Sequence, residues 1–421
     1  MLKLKLHWQI IIALVLAVVA GSLSGKDAAV FGLRFYQVYD FIGTLFMNAL
    51  KMLIVPLIMS SIISGVARLG GGSLGRLGGK TLTYYAATSL IAILIGLSMV
   101  NLIEPGIVDG EPAHELIGLN QAADEVVSRV EGRGIADVVD VFLRMVPVNI
   151  VDAAAQGQML GLIFFSLLFG YFMTRVTKEH HGVLATFWEA IFAVMMKITE
   201  WVMSFAPLGV FALVAKVVAV TGLAAIKPLL LFFLTTLGAL FVHFAIALPL
   251  ILLFVARVNP LPHYQAMAPA LLTAFSTASS SSTLPITMDC VEKRAGVSNR
   301  TSSFVLPLGA TVNMDGTALY ECVAALFLAQ AYGLDLGFAE QFSIVLIALL
   351  TSIGVAGIPA ASLVAITIIL TSIGLPAEAV GIILAVDRVL DMCRTSVNVF
   401  SDSCGAVVVG KLEGEQDILK R

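Results

Sequence analysis

The sequence predicts an all-α polytopic membrane protein with eight transmembrane helices and two opposed re-entrant hairpins. Three observations predict it. Of 421 residues, 59% are hydrophobic and only 13% are charged, where a soluble chain carries about 25% charged residues. Apolar segments repeatedly reach the roughly 20 residues that cross a bilayer core. The last third of the chain, finally, is interrupted by Ser-, Gly- and Pro-rich pieces inside otherwise apolar sequence. A net charge of −3 with no basic block excludes a nucleic-acid partner. Cys290, Cys322, Cys393 and Cys404 are scattered without a C-x-x-C pair, which indicates neither a disulfide framework nor a zinc site.

The elements follow in order. The start, "MLKLKLHWQIIIALVLAVVAGSLSG", has the basic-then-apolar pattern shared by signal peptides and first spans; the rest of the chain needs the span. Further apolar segments run over 38–69, 82–103, 138–176, 183–220 and 228–258. Lys and Arg mark the cytoplasmic side. Lys3 and Lys5 place the N-terminus inside, and Arg68, Arg76 and Lys80 lie inside again after two crossings. The loop after the third crossing is dominated by acidic residues from Asp109 to Asp137, as an outer loop can be, and Arg175 and Lys178 return inside. Arg257 follows the sixth span, and Lys293, Arg294 and Arg300 share its side only if "STASSSSTLPITM" enters the membrane and turns back. The loop at Asp335 and Glu340 reads as outer and the tail with Lys411, Lys420 and Arg421 as inner, so "SIGVAGIPAAS" must also be a hairpin that does not cross. Both termini are then cytoplasmic. Non-helical backbone at membrane depth is tolerated only where it is buried in protein or lines a cavity. Two such segments entering from opposite faces suggest an inverted repeat with a site between the tips, the plan of secondary transporters.

Four polar elements interrupt the apolar sequence. "SSSST", Ser279 to Thr283, offers hydroxyls and free backbone N–H groups to a carboxylate, although a plain Ser-rich loop has the same composition. "NMDGT", Asn313 to Thr317, sits mid-span, where unwound carbonyls and a carboxylate make an oxygen cage for a hard cation such as sodium; a buried hydrogen-bonded kink is the structural alternative. In "SIGVAGIPAAS", Gly354, Gly357 and Pro359 permit a non-helical tip that could close over a ligand. The last element is "LDMCRTSVNVFSD", where Asp391, Arg394, Asn398 and Asp402 share one helical stripe. Arg394 has the planar fork for a carboxylate, Asp391 can pair an ammonium, and Asn398 can serve a carboxylate or a cation. Asp391 and Arg394 could instead only neutralise each other, although burying a pair for stability alone is often no better than apolar packing. Together the groups describe a zwitterion with an extra carboxylate. The six histidines, His243 and His263 among them, lie outside the broken segments, and no nucleophile is paired with a base, so no enzyme activity is expected.

"SSSSTLPITM", "PLGATVNMDGTALY", "SIGVAGIP" and "LDMCRTSVNVFSD", with "YYAATS" in the third span, resemble the signature elements of the dicarboxylate/amino acid:cation symporters, the glutamate transporter family. The resemblance covers essentially the whole chain. It implies sodium-coupled uptake of aspartate or glutamate by a homotrimer in the plasma membrane, a bacterial or archaeal inner membrane. Scaffold helices over 1–80 and 106–225 would hold a transport unit of 81–105 and 226–421 that moves as an elevator. Substrate would be held by Arg394, Asp391, Asn398 and the Ser279–Ser280 tip, with Thr317, Ile358, Ser362 and Thr395 lining the pocket. One sodium site would use Gly309, Asn313, Asn398 and Asp402; a second Thr311 and Met314 with Ser352, Ile353 and Val355; a third Tyr85, Thr88, Ser89, Asn313 and Asp315. No organic cofactor is implied. Relatives place a further arginine where this chain has Ala278 or Met392, and Arg388, one turn before Met392, is the candidate substitute. A neutral amino acid carrier, a C4-dicarboxylate carrier and a proton-coupled variant of the same fold remain alternatives.

Overall fold

The computed structural model describes residues 6–30, 32–68, 76–117, 119, 143, 146–156, 158–222, 224–352, 362–376 and 379–419. Within them the chain is helical apart from two short ribbons, Ala29–Val30 with Leu33–Arg34 and Ile107–Val108 with Glu111–Pro112, both antiparallel. Helix α1 spans Leu6–Ser24, α2 Phe35–Arg68, α3 Arg76–Ile103, α4 Ile150–Ala155, α5 Met159–Met173, α6 Lys178–Ser204 and α7 Ala206–Thr221. The apolar run over 183–220 therefore forms two helices where the sequence reads as one segment. Phe205 closes α6 and opens α7, because Pro207 supplies no N–H and sits in a first turn, where that loss costs least.

Helix α8 spans Ile226–Ala256 and carries two π-helical turns, His243–Ala247 and Leu252–Ala256, on either side of the turn that holds Pro249. Such turns aim side chains that a regular helix would present elsewhere. Among the described residues, four helical stretches are long and apolar enough to cross a membrane: Phe35–Ala67, Arg76–Ile103, Lys178–Ser204 and Ile226–Ala256.

At the position of the first expected hairpin the chain makes a helix–turn–helix. Helices α9 (Pro260–Thr277) and α10 (Ser280–Asp289) pack on one another, and the π turn Cys290–Arg294 that extends α10 folds back on α9. Ala278 at the tip is left-handed, with φ +49°. Helix α11 (Asn299–Val312) is followed by α12 (Asp315–Ala331), and Asn313 and Met314 between them are non-helical, as the sequence leads one to expect. The arms of the second expected hairpin are α13 (Phe338–Ser352) and α14 (Ser362–Ser372); its tip, 353–361, lies outside the described residues. Helix α15 runs over Val380–Leu412.

Packing divides these helices by burial. Every residue of α12 except Gln330 is buried, beneath α3, α8, α13, α14 and α15. Its stretch from Cys322 to Ala329 is apolar on all faces, as an interior helix requires, and the polar residues gather about its first two turns. Helices α1, α2, α6 and α7 form a second cluster, which Met314 and Ala365 join. The outer face of α6 leaves Val183, Phe187 and Trp201 exposed, as a lipid or subunit contact would require.

Candidate functional site

The break between α11 and α12 leaves the last carbonyls of one helix and the first amides of the next without intrahelical partners. Two carboxylates and an amide collect there, all buried: Asp315, Asp402 and Asn313. The Ser89 hydroxyl donates to Asp315 Oδ1 at 2.7 Å, and Thr88 Oγ1 lies 3.3 Å from the same oxygen. Ser401 donates to Asp315 Oδ2 at 2.5 Å, and His243 Nε2 lies 3.1 Å from that oxygen. Asn313 Nδ2 donates to Asp402 Oδ1 at 2.9 Å and to Ser401 Oγ at 3.2 Å, so it ties the two acids together. Gly309 is required by close approach: a Cβ there would lie 2.5 Å from Asp402 Oδ1 and 2.8 Å from the Tyr85 hydroxyl. Tyr85 donates that hydroxyl to the Val305 carbonyl at 2.6 Å.

The sequence-predicted ligands of the first and third cation sites are therefore brought into one cluster of hard oxygen donors on α3, α11, α12 and α15. Carboxylate, amide and hydroxyl oxygens without thiolates suit sodium-like ions rather than soft metals. Asn398 links this cluster to the next. Its Nδ2 donates to Thr317 Oγ1 at 3.0 Å, and its Oδ1 accepts from the Gly316 amide at 2.8 Å. A Cβ on Gly316 would meet the Arg394 carbonyl at 2.8 Å, which is why α12 and α15 need glycine at this crossing.

The stripe on α15 faces protein. Asp391, Arg394, Asn398 and Asp402 are all buried, and Arg394 is 1% exposed. Arg394 donates to Asp387 Oδ1 at 3.0 Å and to Asp391 Oδ1 at 2.9 Å, and its guanidinium carbon sits 3.9 Å from the centroid of the Tyr320 ring. Arg388 donates to Asp391 Oδ2 at 3.3 Å. Thr395, one turn after Asp391, donates to its carbonyl at 2.8 Å. Arg394 is held by two carboxylates and an aromatic face, and its Nε has no partner among the described residues.

At the first hairpin tip, Ser279 caps α10, its Oγ accepting from the Ser282 amide at 3.2 Å. Ser280 is buried beside it. The amides of Ser280 and Ser281 lack intrahelical acceptors, the arrangement that favours an anion at a helix N-terminus. Ser362 begins α14, buried, and its hydroxyl has no partner among the described residues. Ile353, Val355 and Ile358 lie outside the described residues.

The expected second cation site is not assembled from the residues described. Thr311 donates to the Leu308 carbonyl at 3.0 Å and faces a cavity of about 220 Å³ lined by Ser61, Ser64 and Gly65 of α2. Met314 packs with the α1, α2, α6 and α7 cluster, and Ser352 is the last residue of α13.

One sequence reading is corrected. His243 was expected to lie away from the broken elements, yet the π turn of α8 places its ring, 0% exposed, against Asp315. The usable signal was a histidine inside "LGALFVHFAIALP", where only a polar partner makes burial tolerable. Sequence reasoning also passed over Ser401, Tyr320 and Glu321. Glu321 is fully buried on α12, one oxygen accepting from Thr351 at 2.9 Å and the other, Oε1, without a partner among the described residues.

Residues 6–412 match the model of the sodium:dicarboxylate symporter family. The chain belongs to that family. Symporters similar to it include the proton/sodium-glutamate symport protein of Bacillus caldotenax, 35% identical over 417 residues that span 99% of this chain and 96% of the relative. The proton/glutamate-aspartate symporter of Escherichia coli K12 is 35% identical over 422 residues, 99% of this chain and 94% of its own. Human excitatory amino acid transporter 3 is 36% identical over 469 residues, covering 98% of this chain and 87% of the transporter. This symporter is thus a multi-pass membrane protein.

Proposed function

We propose that this symporter takes up acidic amino acids, aspartate or glutamate, together with cations across the plasma membrane. The similar proteins named for glutamate and aspartate symport support the substrate class. The observation that carries cation coupling is the charge held in the buried unit. Asp315, Glu321, Asp387, Asp391 and Asp402 are five buried carboxyls against two buried guanidiniums, Arg388 and Arg394. Five less two leaves three negative charges if all are ionised, and an acidic amino acid with net −1 makes four. Carrying such an excess through a bilayer is prohibitive, so cations or protons must travel with the substrate. Sodium fits the oxygen cluster at Asn313, Asp315 and Asp402, with Tyr85, Thr88, Ser89 and Gly309 around it.

In this reading Arg394 takes the side-chain carboxylate and Asp391 the ammonium. Asn398, Thr317, Thr395, Ser362, Ile358 and the Ser279–Ser280 tip complete the pocket. The transport unit of 81–105 and 226–421 moves as an elevator against a scaffold of 1–80 and 106–225 in a homotrimer. Radiolabelled aspartate, glutamate, serine and succinate uptake into proteoliposomes tests the proposal. Aspartate or glutamate uptake should require an inward sodium gradient, and serine uptake equal to aspartate uptake would overturn the substrate assignment. A proton-coupled reading is favoured by Glu321, a buried acid with one oxygen that lacks a partner among the described residues. Uptake driven by a pH gradient without sodium, and lost in Glu321→Gln, would replace sodium with protons.

A further inference from the structure

The sequence of α15 places Asp387, Arg388, Asp391 and Arg394 within two turns, and the four side chains form one chain of contacts. Asp391 is shared between two cations through different oxygens: Oδ1 accepts from Arg394 at 2.9 Å and Oδ2 from Arg388 at 3.3 Å. The two arginines are not equivalent. Arg394 makes two ion pairs, at 2.9 and 3.0 Å, rests on the Tyr320 ring, and its side chain is 1% exposed. Among the described residues Arg388 makes one ion pair, longer and monodentate, its side chain is 9% exposed, and its Nε has no partner. A single long contact from an otherwise unsatisfied buried guanidinium is the one that gives way when a better cation arrives.

Resting on the reading that α15 binds an acidic amino acid, we propose that Arg388 is an internal stand-in for the substrate's ammonium. In this structure it donates to Asp391 Oδ2. Binding of aspartate exchanges the Arg388–Asp391 contact for an ammonium–Asp391 contact, and Arg394 remains to receive the side-chain carboxylate. Two consequences follow. Arg388 imposes a penalty on amino acid binding, because an internal contact must be given up, in the way that a partly populated competent state weakens apparent affinity. The same residue relaxes discrimination against ligands that lack an amine. A C4-dicarboxylate such as succinate brings no ammonium, and without Arg388 it would leave Asp391 with one cation fewer beside a second carboxylate, Asp387. With Arg388 in place, Asp391 stays neutralised. Arg388 is therefore a positioning residue that sets the ratio of succinate to aspartate affinity, specificity being a difference between two binding energies.

The test is calorimetric binding of aspartate and of succinate, at fixed sodium, to wild type, Arg388→Gln and Arg388→Lys. In Arg388→Gln the ratio of succinate Kd to aspartate Kd should rise about tenfold or more, the scale of one charge-assisted contact, with aspartate binding tighter. Arg388→Lys, which keeps a cation near Asp391, should hold the ratio near the wild-type value. Arg388→Met preserves much of the side-chain length and is the second variant if the glutamine variant does not fold. Equal shifts in both affinities, or no shift in either, would overturn the inference and assign Arg388 a structural role. Wild type that binds neither ligand would instead overturn the functional reading, and with it this one.

Discussion

Replacing Arg394 by cysteine separates a substrate-binding arginine from a structural one. Arg394 donates to Asp387 at 3.0 Å and to Asp391 at 2.9 Å and covers the Tyr320 ring at 3.9 Å. Its loss deprives Asp387 of its ion pair, while Asp391 keeps Arg388 at 3.3 Å. Breaking a buried pair from one side costs about 3–5 kcal/mol when the remaining charge has no other compensation. Here Asp391 retains Arg388 and only Asp387 loses its ion pair, so the fold should survive with a lowered melting temperature.

Binding should suffer differently. A hydrogen bond to a charged group is worth about 1.5–3 kcal/mol, and tenfold in affinity corresponds to about 1.4 kcal/mol. The aspartate Kd should therefore rise by about tenfold to a hundredfold in Arg394→Cys. Serine or alanine, which bring no side-chain carboxylate, should lose nothing and can gain, because no unpaired guanidinium remains. Calorimetric titration of aspartate and serine into the purified variant, with a thermal melt alongside, checks this. Unchanged aspartate affinity in a folded variant would refute the assignment, and equal losses for aspartate and serine would place Arg394 in the framework of the pocket.

Asp315→Asn and Asp402→Asn should each weaken the sodium response and, through linkage, the aspartate affinity by the same coupling factor; titrating each ligand at several fixed levels of the other measures it. His243→Ala should shift apparent sodium affinity several-fold by leaving Asp315 Oδ2 to Ser401 alone. His243→Gln, whose amide can still donate, should stay closer to wild type, and identical behaviour of the two would show that the imidazole acts by volume only. Beyond the C-terminal end of α15, Glu415 accepts from the Ser298 hydroxyl at 2.6 Å and amide at 2.9 Å and from Thr301 at 2.5 Å. Burial pushes its carboxyl up, but those hydrogen bonds and nearby Arg300 outweigh it and hold it below the usual range. A depressed carboxylate stabilises the fold above its unfolded value of about 4.3 and ceases to as pH falls through the folded one. Hydrogen exchange in 295–301 should therefore rise below about pH 4, and Glu415→Gln should show the faster exchange already at neutral pH.

Most of the architecture was legible because lipid makes the rules few. A backbone that must satisfy its own hydrogen bonds turns each long apolar run into helix, and the breaks at Ser279 and at Asn313–Met314 stood out as breaks. The stripe on α15 was legible for the same reason: offsets of three, four and four residues fix one face of a helix whatever packs on it. The split of 183–220 at Phe205 was less visible, because one proline in an apolar run can kink a helix or begin a new one, and only the packing of α6 and α7 on α2 decides.

What the sequence hid was partnership beyond the nearest helical neighbours. Arg394 reads as Asp391's neighbour by spacing, yet its second carboxylate, Asp387, lies seven positions earlier, near two helical turns, and reaches it only because a long arginine side chain runs along the helix. His243 was hidden more deeply. By regular helical spacing nothing marks position 243 as facing α12, and the π turn His243–Ala247 changes the phase of α8 at that residue. An ionisable ring inside an apolar span signals only that a partner exists, and naming Asp315 as that partner requires the break at Asn313–Met314 that turns the carboxylate toward α8. The two local irregularities are thus coupled: the π turn makes sense only against the unwound segment it faces, and each is legible by itself while their contact is not.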